Sequence, residues 1–224
     1  DLEECSIRGI QIGWTGGVNK LSVAEMTLGF MLMLNRNLYT TSNQLKNNLW
    51  NKAGGFQLTG KTIGIIGVGN IGKELVRLLK PFKCTILVND IIDQKDYYEI
   101  NDLTELPRNE IFEKADIVTL HTLLDSDTKN MVDLQMLKRM KPSSFLINTS
   151  RSSIVNEDDL KYALKNNIIA GAAIDVYVTE PPTDKEFLDL PNLICTPHIG
   201  GNSKEAVEAM GLSAIRHLVE YFKV

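Results

Sequence analysis

The chain of 224 residues is 43% apolar and 23% charged, with a formal net charge of −4. That balance is ordinary for a soluble globular protein and excludes nucleic acid and anionic membranes as expected partners. The most apolar stretch, Leu28 to Leu34, is too short to cross a bilayer and follows no basic segment, so neither a membrane span nor a secretory leader is expected.

In chain order, Ser22 to Asn35 reads as a strongly apolar helix, with Ser22 as N-cap and Glu25 as its capping-box partner. Thr41 to Gly55 is a polar stretch around Trp50 and reads as an arm or contact segment. From Lys61 the pattern changes. Short apolar runs at Lys61–Ile66, Thr85–Val88, Asp116–Leu120, Ser144–Asn148, Ala170–Ile174 and Leu193–Cys195 read as strands. Helical spacing separates them at Asn70–Leu79, Arg108–Lys114, Asp133–Met140 and Glu157–Lys165, the last capped by Asn156. Ser203 to Phe222 is a long amphipathic closing helix. Strands without alternation, interleaved with helices, predict an α/β fold: a doubly wound parallel sheet of Rossmann type, covered on both faces. Cys5, Cys84 and Cys195 stand far apart in apolar settings. Their spacing suits no metal site and no disulfide framework, so buried, reduced thiols in a cytoplasmic protein are expected.

The run GVGNIG places Gly67, Gly69 and Gly72 between a strand and a helix, and Asp90 ends the next strand 18 residues after Gly72. A dinucleotide needs this arrangement. Gly67 permits the tight turn, Gly69 lets a pyrophosphate approach the backbone, and Gly72 lets the helix pack on the strand. Asn70 and Ile71 open that helix, whose free N–H groups suit phosphates. Asp90 would accept from ribose hydroxyls and repel a 2′-phosphate, so NAD is expected over NADP.

In such a sheet, ligands bind beyond the carboxyl ends of the strands. The residues found there are His121, Thr149, Arg151, Asp175, Glu180 (before Pro181-Pro182), His198 and Gly200. Arg151 can clamp an anion, Glu180 can orient an imidazole and His198 can exchange a proton. His121 has no evident acid/base partner and reads as structural or cofactor-lining. His217, on the closing helix, reads as a surface residue.

Together these stretches resemble the D-isomer-specific 2-hydroxyacid dehydrogenases, which include phosphoglycerate dehydrogenase-like enzymes. The resemblance rests on SVAEMTLGFML at 22–32, LTGKTIGIIGVGNIG at 58–72, INTSRSSIVNEDDL at 147–160, AGAAIDVYVTEPP at 170–182 and TPHIGG at 196–201. It implies Arg151, Glu180 and His198 as the catalytic set. It also implies Asp175 on the nicotinamide carboxamide, NAD as cofactor, and a small 2-hydroxy or 2-keto acid as substrate. It further implies a homodimer through residues 22–55. On this reading residues 1–202 are the dinucleotide-binding domain, and 203–224 return to a substrate domain that this chain lacks. Two positions depart from the family pattern: Ser152 follows Arg151 where glycine is usual, and His121-Thr122-Leu123 lacks the usual proline. A non-enzymatic NADH-sensing module of corepressor type is the alternative.

Overall fold

The computed structural model describes residues 2–223; Asp1 and Val224, the outer ends of the two expected segments, lie outside the described residues. Among the described residues seven strands form one parallel sheet in the order β3-β2-β1-β4-β5-β6-β7. They are β1 Thr62–Ile66, β2 Thr85–Asn89, β3 Thr104–Glu105, β4 Ile117–Leu120, β5 Phe145–Asn148, β6 Gly171–Ile174 and β7 Leu193–Cys195. The expected doubly wound α/β fold is therefore the observed one. Each expected strand is present within a residue of its predicted ends. The two-residue β3 had no pattern to announce it, because it exists only through pairing with Leu87 and Val88 at the sheet edge.

The sheet's faces are covered by different helices. On one side lie α2 (Lys20–Asn35), α4 (Asn70–Leu79) and Tyr98 of α5 (Lys95–Ile100); α1 (Leu2–Ile7) and α3 (Leu38–Lys46) lie outside this layer. On the other lie α6 (Arg108–Lys114), α7 (Leu134–Leu137) and α8 (Glu157–Lys165). A short α9 (Lys185–Leu188) precedes β7, and α10 (Lys204–Phe222) closes the chain. Helix α4 shows why the pattern works: Leu75, Val76 and Leu79 share one face and are sealed against the sheet. Its approach requires Gly72, where an added Cβ would lie 2.3 Å from the Gly67 carbonyl oxygen.

Strand register aligns the functional edge. Ile66 pairs with Asn89 and Leu120, Leu120 with Asn148, Asn148 with Ile174, and Ile174 with Cys195. The next residues, Gly67, Asp90, His121, Thr149, Asp175 and Thr196, therefore emerge in one row at the carboxyl edge.

Several expectations change. Helix α2 begins at Lys20, so Ser22 lies inside it rather than capping it; Asn19 holds the cap position without a side-chain cap bond. The arm is partly helical, because α3 runs to Lys46 before the irregular, exposed stretch that carries Trp50. The cysteines are free but only half-buried. Cys5 lies on α1, which buries no residue, and Cys195 ends an edge strand with one open side. His217 is not a plain surface residue. Its Nε2 lies 2.9 Å from Thr15 Oγ1, and its Cβ fills the space beside Gly13. Among the described residues no helix is long and apolar enough to cross a membrane.

Candidate active site

At the end of β1 the chain turns through Gly67 at φ +95°, where a Cβ would sit 2.7 Å from the His121 carbonyl. Only glycine satisfies both the backbone angle and the space. Gly69 caps α4 without a side-chain bond, and a Cβ there would meet nothing within 4 Å. Gly69 is therefore small without being crowded by its own chain, which suits a ligand approaching the helix N-terminus. Asp90 supports this turn directly: Oδ2 accepts from the Val68 N–H at 2.5 Å, and Oδ1 accepts from the Ile92 N–H at 2.9 Å. Its sequence reading as a ribose acceptor did not include that supporting bond.

Beside the turn opens a cleft of about 550 Å³. Ile71, His121, Thr149, Arg151, Asp175, Glu180, His198 and Gly200 all line it. The structure thus brings together eight of the residues singled out from the sequence. Gly67, Gly69, Asn70 and Gly72 lie in the adjoining turn and first helical turn, not in the cleft wall.

His198 occupies the left-handed region at φ +55°. Its Nδ1 lies 3.0 Å and 2.9 Å from the two oxygens of Glu180, which leaves Nε2 free of that pairing. The hydrogen bond from His198 holds the Glu180 carboxyl below its ordinary range, and the Tyr177 N–H, at 3.2 Å, adds to the effect. Tyr177 also donates its hydroxyl to the Thr196 carbonyl at 2.9 Å, tying the Glu180 segment to the His198 segment. Both partners are substantially exposed, so their value is orientation more than stability.

Arg151 follows β5 through a loop pinned by Asn148. Asn148 accepts from the Ser150 N–H and hydroxyl and donates to the Arg151 carbonyl. The guanidinium itself donates to the Ser150 carbonyl at 2.7 Å. Thr149 is buried, with Oγ1 3.2 Å from Thr27 Oγ1 of α2.

Asp175 is only 1% exposed, and its carboxylate accepts three bonds from its own chain: Thr196 Oγ1 at 2.6 Å, Ile199 N–H at 2.9 Å and Gly200 N–H at 2.7 Å. This anchoring of the His198 loop is a task the sequence did not reveal, since the partners lie more than twenty residues away.

Burial pushes His121 down to about 4, so its ring is neutral near pH 7. Nε2 meets Thr119 Oγ1 at 3.0 Å, while Nδ1 and the neighbouring Thr122 hydroxyl are buried without a partner. Buried polar atoms left unpaired are uncommon. Two of them in the wall of this cleft, beside an open glycine turn, fit a polar cofactor. Leu123, where the family pattern has proline, is exposed on the loop beyond; Ser152 begins a short 3₁₀ turn after Arg151.

The comparisons agree with this geometry. Residues 28–200 match the family described as D-isomer specific 2-hydroxyacid dehydrogenase, NAD binding domain. A D-3-phosphoglycerate dehydrogenase of Escherichia coli is 36% identical over 228 residues, covering 99% of this chain and 55% of that protein. A Granulicella formate dehydrogenase structure superposes with a TM-score of 0.90 at 27% identity, covering 100% of this chain and 61% of the other. The D-lactate dehydrogenase of Aquifex aeolicus, solved with NAD and lactic acid, superposes with a TM-score of 0.89 at 25% identity, covering 100% and 72%. The chain spans about half the length of the curated relatives it matches. A glycine turn open to phosphates, a histidine–glutamate pair and an arginine on one sheet edge, with a match over most of the chain, lead to one assignment: the chain belongs to the D-isomer-specific 2-hydroxyacid dehydrogenases, as their NAD-binding domain.

Proposed function

We propose that this domain forms the cofactor half of an oxidoreductase that moves a hydride between NAD(H) and a small 2-hydroxy or 2-keto acid. The observation that carries the proposal is the His198–Glu180 pair, at 2.9 Å, in the same cleft as Arg151 and beside the glycine turn. The Gly67–Gly72 turn, Asp90, His121, Thr149, Asp175 and Gly200 would hold the dinucleotide. When bound, it supplies or accepts the hydride.

The chain's own residues do the rest. Glu180 accepts from Nδ1–H of His198, which makes Nε2 the basic atom of the neutral ring. Nε2 takes the proton of the C2 hydroxyl during oxidation and returns it during reduction. Glu180 also stabilises the ring when it is charged. Arg151 binds the substrate carboxylate and polarises the C2 oxygen. Asp175 serves twice, holding the His198 loop and offering its remaining acceptor capacity to the nicotinamide carboxamide. Asp90, which already accepts from the turn, disfavours a 2′-phosphate, so NAD(H) binds in preference to NADP(H).

The substrate's far wall would come from a separate domain contacting α10, whose apolar side chains are exposed. Exposed Leu38, Leu45, Leu49 and Trp50 support a homodimer through residues 22–55, testable by light scattering. The three unpaired thiols support a reducing, cytoplasmic compartment. No observation favours the corepressor-type reading over the dehydrogenase.

The test combines NADH titration by fluorescence with turnover on a panel of 2-keto acids. The 224-residue chain is expected to bind NADH and to turn over poorly, because a cleft with one wall cannot exclude water. In a protein that carries the substrate domain, His198→Ala should lower turnover by ~10²–10⁴-fold with NADH affinity retained. Undiminished turnover in that variant would overturn the mechanism.

A further inference from the structure

We infer that Ser22 is a positioning residue for His198, reaching it from the other end of the chain. The inference rests on the reading of His198 as the proton-exchanging group.

The loop that carries His198 has an unfavourable backbone to maintain. A non-glycine residue in the left-handed region persists only where its surroundings hold it there. Asp175 holds one side through the Ile199 and Gly200 N–H groups. The other side belongs to Ser22. Its Oγ donates to the Gly200 carbonyl at 2.6 Å and accepts from the Ser203 N–H at 3.3 Å. One hydroxyl thus spans the exit of the loop, from two residues after His198 to the residue that caps α10. Ser22 can do this because it is not a cap: α2 starts at Lys20, which turns the hydroxyl of its first turn toward the loop.

Asn19 reinforces the seat. It makes no cap bond, and its Nδ2 fills the space where a Gly201 Cβ would stand, at 2.6 Å. Gly200 fits the same seat tightly, since a Cβ there would approach Asp175 Oδ2 to 3.0 Å. The Gly200-Gly201 pair therefore lets the loop lie between Asp175 and the start of α2. With the Gly200 carbonyl and Ser203 amide both satisfied by one hydroxyl, the loop loses its freedom to relax, and Nδ1 of His198 stays on Glu180.

The test needs neither cofactor nor substrate. The chain has only three histidines, so ring ¹H–¹⁵N spectra can be assigned by single substitutions. In Ser22→Ala, the His198 Nδ1 signal should move away from its hydrogen-bonded position while the His121 signal stays in place. The Ile199 and Gly200 amides should exchange ~10-fold faster. Ser22→Thr, which keeps the hydroxyl, should restore both. An unmoved His198 signal overturns the inference, whether or not the amides exchange faster, because Ser22 would then be merely structural. If Ser22→Ala does not fold, Ser22→Cys, of similar size and a weaker donor, is read by the same criterion. Failure of a protein that carries the substrate domain to turn over 2-keto acids would sink the dehydrogenase reading and leave this result as it stands.

Discussion

Leu75, Val76 and Leu79 recur on one face of α4 and are sealed beneath it, whereas Val207, Met210, Leu218 and Phe222 recur along α10 and remain exposed. In α10 only Ala206 is buried. Both helices advertise an apolar face, yet only α4 has a sheet opposite it. Amphipathic spacing thus states a need for cover; what meets that need is a property of the fold. The same division runs through the site. Its cofactor side is built from strand ends and a packed helix, and its outer side from loops and an uncovered helix.

The sharpest way to break this comparison is to truncate one leucine from each helix. Leu75→Ala should cost ~2–5 kcal/mol in urea unfolding, as expected for a buried leucine. Leu218→Ala should stay within ~0.5 kcal/mol. Equal costs would show that α10 is covered in solution. Glycine gives a second contrast, of opposite sign. Gly67→Ala faces both the positive φ and the His121 carbonyl, so it should destabilise by ~1–3 kcal/mol and abolish NADH binding. Gly211→Ala, inside α10 with nothing within 4 Å, should stabilise by ~0.5–1 kcal/mol. Thermal melts of the two variants check both signs.

Protons probe the packed side through His121. Burial lowers His121 from 6.5 to about 4, so the unfolded chain binds the extra proton between those values. Stability therefore falls as pH drops through that window and is retained above it. Because His121 as a whole residue is only partly buried, a slope worth ~1–2 kcal/mol is expected, and His121→Asn should flatten it. An unchanged slope in that variant would place the ring in solvent. The smallest effect concerns cofactor choice. Asp90→Ala should shift the NADP(H)/NAD(H) affinity ratio by ~10-fold, about 1.4 kcal/mol. It should also weaken both ligands, because Val68 loses its acceptor. A ratio that does not move would remove Asp90 from the ribose.

Much of the site was legible because its parts follow strands. A run such as FLIN or GAAI announces a strand, and what comes next stands at its end; parallel register then lines up Gly67, His121, Thr149 and Asp175. The glycine turn was legible for a similar reason, since backbone angle and close approach restrict the residue type. Ser22 was misread because a serine, then a glutamate three residues on, is also how a helix starts. Its actual partner, Gly200, lies 178 residues away, beyond any local pattern. The half-buried cysteines were misjudged because apolar neighbours in sequence do not ensure neighbours in space, least of all on an edge strand.

The sequence by itself therefore determined the alternation of strands and helices, the parallel sheet, the dinucleotide turn and the three polar side chains at its edge. These follow from short-range rules: apolar periodicity, glycine's angles and the chemistry of residue types. Only the tertiary structure decided that Asp90 braces Val68, that Asp175 and Ser22 hold the His198 loop, and that the face of α10 stays open. Each of these joins residues far apart in the chain. Long-range hydrogen bonds and cover for an apolar face depend on which surfaces folding brings together, and no local pattern encodes that.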